Sequence, residues 1–232
     1  MASLVDSVKT VAGDSHPFFK IAALAFVIFV VIQLETYDNV APIFKMVAGI
    51  AAFFTFLGFI LESIHNSVTE ENIIMPGLLN PLKLIMVGVQ GTLSLLPFLA
   101  LLYFGISWVN SILPFAPWIN YIILGIVFVT LLSFFVVSML LYCRKYNAMA
   151  SYNFKNIFKY SGDFIAYNFV LAFNVLLLIG VVFVPIGIAV KLIFDFGLVF
   201  DYYIIFAIIF VIMVVLQYYS QLYFEYIDLR DT

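Results

Sequence analysis

Residues Leu84–Cys143 read LIMVGVQGTLSLLPFLALLYFGISWVNSILPFAPWINYIILGIVFVTLLSFFVVSMLLYC, 60 residues without a formal charge. A helix needs about 20 mainly apolar residues to cross the hydrocarbon core of a bilayer. The run is therefore two crossings joined by a turn. The turn is placed at Asn110–Asn120, which is rich in Asn and Pro. Trp108 and Trp118 flank it, where amphipathic rings suit a membrane interface. The run does not alternate with period two, so helices are expected rather than barrel strands.

Shorter runs of the same kind lie on both sides. Ile21–Leu34, Met46–Leu61, Phe164–Val190 and Tyr202–Phe224 are each free of charge. Together they predict six helices, at about 17–35, 42–64, 82–110, 118–143, 164–194 and 199–226. The fold class is all-α, a polytopic membrane helix bundle forming one domain over residues 1–232. The first run is read as a retained span rather than a signal peptide, because it ends in Gln33-Leu34-Glu35-Thr36-Tyr37 and not in small residues.

Composition agrees. Of 232 residues, 66% are hydrophobic and only 10% charged, against about 25% charged in soluble domains. Mean hydropathy is +1.18. A soluble enzyme, a disulfide-rich module and a disordered chain are excluded. The lone Cys143 cannot form an internal disulfide. Ten Lys and Arg give no basic stripe, so no nucleic-acid partner is expected.

Six spans put both termini on one side. That side carries Lys9, Lys20, Lys83, Arg144, Lys145, Lys155, Lys159 and Arg230, while the other has only Lys45 and Lys191. The positive-inside rule then makes both termini cytoplasmic. Two cytoplasmic connections are long: Ser63–Pro81, containing Glu70 and Glu71, and Arg144–Asp163. In the second, Ala150, Phe154, Ile157 and Phe158 share one helical face, with Lys155, Asn156 and Lys159 opposite. This predicts a short interfacial amphipathic helix. It serves as an anchor, or as a docking site for a cytoplasmic or membrane partner subunit.

Catalytic signatures are missing. The sequence has no Walker loop, no His-Glu-x-x-His and no Gly-x-Ser-x-Gly. No enzyme activity, cofactor or metal site is expected. Glu62 and His65 can meet on one helical face, and are read as a solvated interface pair. Cys143 is read as inert. No charge falls at mid-span, where ion-coupled carriers place one. Amides stand there instead. Gln90, Asn168 and Asn174 are read as interhelical packing contacts, or alternatively as the lining of a polar path. In the last helix Gln217, Gln221, Glu225 and Asp228 share one face among tyrosines. They fit a polar face turned to the bundle, or a head-group or substrate contact. Pro97 and Pro185 interrupt two spans that each follow a long connection, a pattern met in repeat-built carriers.

The run Arg144–Asn147, then Phe154–Phe158, Phe164-Ile-Ala-Tyr-Asn168 and Gln217-Tyr-Tyr-Ser-Gln221-Leu-Tyr-Phe-Glu225 resembles a prokaryotic family of multi-pass membrane proteins of unknown function. More distantly, it resembles the membrane regions attached to some glycerophosphodiesterases. The resemblance covers roughly residues 80–226 and implies a helical bundle in a bacterial or archaeal inner membrane. Three functions are then open. One is a transporter, permease-like or envelope-assembly subunit. The second is a lipid-handling protein or enzyme at the inner leaflet, and the third is a scaffold.

Overall fold

In a computed structural model of the chain, residues 2–69, 74–114, 117–194 and 197–228 are described. Glu70, Glu71 and Arg230 lie outside them, as does the side chain of Asp228. Helix α1 covers Leu4–Gly13, α2 Pro17–Glu35, α3 Pro42–Val68, α4 Pro81–Ile112 and α5 Pro117–Lys145. The single turn α6 is Ala148–Ser151, and α7 runs Phe154–Phe194. Helix α8 is Gly197–Tyr223 and ends in a π turn, Phe224–Asp228. The described residues contain no strand. Six of these helices, α2, α3, α4, α5, α7 and α8, are long and apolar enough to span a membrane. The chain is a polytopic bundle of membrane helices.

Local sequence sets the helix starts. Pro17, Pro42, Pro81 and Pro117 each open a helix, where a missing N–H costs nothing and the fixed φ suits the first turn. Asn80, Asn147 and Asn153 cap α4, α6 and α7 by accepting from the backbone N–H groups of Lys83, Met149 and Asn156.

One boundary differs from expectation. The amphipathic segment is not a separate helix but the first turns of α7, which continues through residue 164 to Phe194. The reason is a single buried stripe: Ile157, Tyr160, Phe164, Asn168 and Leu171 follow at steps of three and four. One helix keeps that stripe on the core. The chain turns earlier instead, at Tyr146, whose φ of 48° is left-handed. Near Pro185 a π turn, Ile179–Phe183, interrupts the α geometry, as is common where a proline removes a helical donor. Helix α4 runs without a break through Pro97.

Among the six spans α3 is central, touching α2, α4, α5 and α8, while α5 touches α4 and α7, and α8 touches α2 and α7. The closest approach is between α3 and α4. A Cβ on Gly58 would lie 1.8 Å from the Leu84 carbonyl oxygen, and one on Gly88 2.1 Å from that of Phe54. Only glycine permits such backbone contact.

Packing is confined to one half of the bundle's length. In α3 burial begins at Ala52, and in α2 it ends at Ala25. From Leu99 to Leu132 no described residue is buried, and from Ala172 to Ile208 only Gly187 is. The packed half is the basic end, containing Phe59, Leu140, Tyr160, Phe164 and Tyr218. Toward the other end, the far end, the helices stand apart.

Helix α1 seals the basic end. It was not anticipated from the sequence. Ser7 and Val11 are buried against α8. The Ser3 N–H donates to Gln221 Oε1 at 2.8 Å, and Gln221 Nε2 donates to Ser7 Oγ at 3.2 Å. Beyond it, the Asp14 side chain is fully enclosed. It accepts from Lys20 Nζ at 3.0 Å and from the N–H groups of Ile74 and Met75 at 3.1 Å each. That carboxylate is fully paired, as a buried charge must be.

Candidate functional site

The close approach of α3 and α4 sets up the first polar cluster. Glu62 lies one turn beyond Gly58, and Lys83 precedes Leu84, the residue Gly58 touches. Lys83 therefore reaches the Glu62 carboxylate and pairs with it. The Tyr146 hydroxyl donates to the other carboxylate oxygen. His65, one turn further along α3, lays its ring against that of Tyr146, with centroids 4.4 Å apart. Its Nδ1 is 2.6 Å from the Cys143 carbonyl oxygen. A carbonyl only accepts, so Nδ1 carries the proton and Nε2 is left as an acceptor in the neutral ring.

Glu62 is thus not part of a solvated pair, as its place near a span end suggested. The residue is only 6% exposed. The reason is Tyr146, which the left-handed turn folds back over the carboxylate. Burial, and the bond donated to Glu62, hold the Tyr146 phenol above its ordinary range. It therefore remains a donor across the physiological pH range. Both oxygens of Glu62 are engaged, so the group acts as a clasp joining α3, α4 and the end of α5. The Cys143 side chain is buried.

The amides divide into two groups. Asn168 is buried; its Nδ2 donates to Ser133 Oγ at 2.7 Å and its Oδ1 accepts from the Tyr219 hydroxyl at 2.7 Å. It joins α7 to α5 and α8. Gln217 accepts from the Ser67 hydroxyl at 2.9 Å, and Gln221 binds α1 as described. Glu225 is half-buried in the terminal π turn. Gln90, by contrast, is exposed on α4, and Asn174 is half-buried on α7. The structure joins neither to the other amides. Of the residues assigned to docking, Ile157 faces the core while Phe154, Lys155, Phe158 and Lys159 are exposed. Phe158 meets the Phe134 ring edge-on at 5.1 Å, and Lys159 Nζ lies 2.9 Å from the Tyr160 hydroxyl.

The far end holds open space, which sequence reasoning missed. A cleft of about 630 Å³ runs between α7 and α8, from Ile179 and Phe183 at the π turn to Lys191. Gly187 and Ala207 face it with small side chains. The Tyr203 hydroxyl donates to the Phe183 carbonyl oxygen at 2.6 Å, tying the two walls together. A second cleft of about 420 Å³ lies on the other flank of α8, against α2 and α3, and its described lining is wholly apolar. Ile208 and Ile212 line both. The only sequence signals were the small residues and the π-forming proline. Comparison with protein-family models, with curated proteins and with solved structures finds no match for this chain.

Proposed function

We propose that the protein is a non-enzymatic membrane protein that handles lipid, admitting an acyl chain from the side into the cleft between α7 and α8. The observation that carries this reading is the position of the cleft. It lies in the unpacked half of a membrane bundle and is almost wholly apolar. In that setting the available solvent is hydrocarbon, and a deep apolar groove favours a chain that fills it.

The competing reading is a solute path, as in a transporter, permease-like or envelope-assembly subunit. It would use Asn168, Gln217 and Gln221, each of which already hydrogen-bonds a neighbouring helix. The positive-inside rule would place the sealed basic end in the cytoplasm. The cleft then opens to the opposite leaflet of a prokaryotic cytoplasmic membrane, rather than to the inner one.

Ala207→Phe fills the cleft without touching the packed half. Purified wild-type protein should retain lipid in native mass spectra after detergent washing. The variant should lose most of it and keep its thermal unfolding midpoint. Equal lipid retention by both proteins would refute the lipid-handling reading.

A further inference from the structure

The cleft between α7 and α8 has a charged mouth. Lys191 is the one charged side chain in its described lining, and it sits at the end remote from the π turn. From Ile179 to Lys191 the helix rises about 18 Å. One leaflet of hydrocarbon is roughly 15 Å deep, half of the ~30 Å core. The cleft is therefore as long as a single acyl chain is deep, with a cation where a head group would begin.

The two cations of the far end differ in how they are used. Lys45 Nζ donates to the Glu35 carbonyl oxygen at 3.1 Å. Lys191 makes no ion pair among the described residues, and its Nζ lies 5.7 Å from the Phe200 ring centroid. An ammonium over a ring face keeps its N–H groups available on the outer side. Asp201 stands exposed on α8 near the same end but does not line the cleft. The floor under this mouth is shaped by Gly187, where a Cβ would meet the Tyr203 ring at 3.0 Å.

From this juxtaposition we infer that the cleft is a phospholipid site. One acyl chain lies along Ile179–Ile188, and the phosphate is held at Lys191. The inference rests on the lipid-handling reading and adds the head-group chemistry to it. A phosphodiester is the group that an ammonium at the membrane interface selects. A diacylglycerol of the same chains offers no such charge.

The test is a native mass spectrometry titration in detergent with phosphatidylglycerol and with diacylglycerol of identical chains. The wild-type protein should bind phosphatidylglycerol more tightly, by about five-fold, the effect expected of one interfacial lysine. Lys191→Gln should erase that preference, Lys191→Arg should keep it, and Lys45→Gln should leave it unchanged. Equal binding of the two lipids by wild-type protein, with Lys191→Gln silent, overturns the phosphate site while leaving the apolar cleft occupied. Binding of neither lipid, or binding indifferent to Ala207→Phe, overturns the lipid reading itself.

Discussion

A Gly58→Val chain should lose the packed half of the bundle. The first atom added, Cβ, would fall 1.8 Å from the Leu84 carbonyl oxygen. That neighbour is backbone in the first turn of α4 and cannot turn aside. The helices must separate, and the damage spreads along both. Lys83 adjoins Leu84, so it withdraws from Glu62, whose carboxylate is buried one turn away. A buried carboxylate left short of a partner is costly, although Lys83 is itself 59% exposed and its share is reduced by solvent. Overpacking alone costs about 1–3 kcal/mol. Each kcal/mol lowers the unfolding midpoint of a chain this long by roughly 2–4 °C. Thermal unfolding in detergent should therefore fall by roughly 2–12 °C from overpacking alone, and further as Glu62 loses its partner. Gly125→Val is the control, because nothing lies within 4 Å of a Cβ there. Equal midpoints for the two variants would show that the α3–α4 contact does not hold the basic end.

Asn168→Leu should be the most damaging of the amide substitutions. It removes the acceptor for the buried Tyr219 hydroxyl and the donor to Ser133 Oγ. Interhelical hydrogen bonds in membranes are worth about 0.6–2 kcal/mol each, so the loss of both is about 1–4 kcal/mol. Gln90→Leu and Asn174→Leu should be neutral or mildly stabilising, since neither side chain is joined to a described partner and Gln90 is exposed. Unfolding midpoints of the three variants decide the matter. If all three fall equally, the amides act alike and the division between packing and surface positions is wrong. If only Asn168→Leu falls, the buried amide is structural glue.

These contrasts separate what contiguous residues determine from what the fold determines. The spans were legible because membrane crossing is a property of contiguous residues: Pro17, Pro42, Pro81 and Pro117 open helices within a residue of where the apolar runs required. Which way a residue faces depends on neighbours far along the chain. Gln90 and Asn168 have the same chemistry, yet Gln90 falls beside the buried stripe of Gly88, Gly91 and Leu95, while Asn168 falls on one. Glu62 gave a local pattern with His65, but its burial comes from Tyr146, 84 residues away. Helix α1 did leave a trace. Ser3 and Asp6 have capping spacing, and Leu4, Val8 and Val11 step by four and three. The clefts left almost none, because empty space is defined by helices that diverge.

The bundle is sealed at its basic end by α1, the buried Asp14 carboxylate and the Glu62 clasp, and its helices diverge at the other. Photo-crosslinking with a phospholipid carrying a diazirine near the end of its acyl chain tests the lipid-handling reading most directly. After reconstitution and irradiation, adducts should concentrate on residues 179–191 and 200–212, which wall the larger cleft, and should fall away in Ala207→Phe. Adducts spread evenly over exposed apolar residues of the other spans, such as Phe44, Leu93, Phe104 and Ile126, would mean that lipid meets this protein only as surrounding solvent. That result would contradict the account.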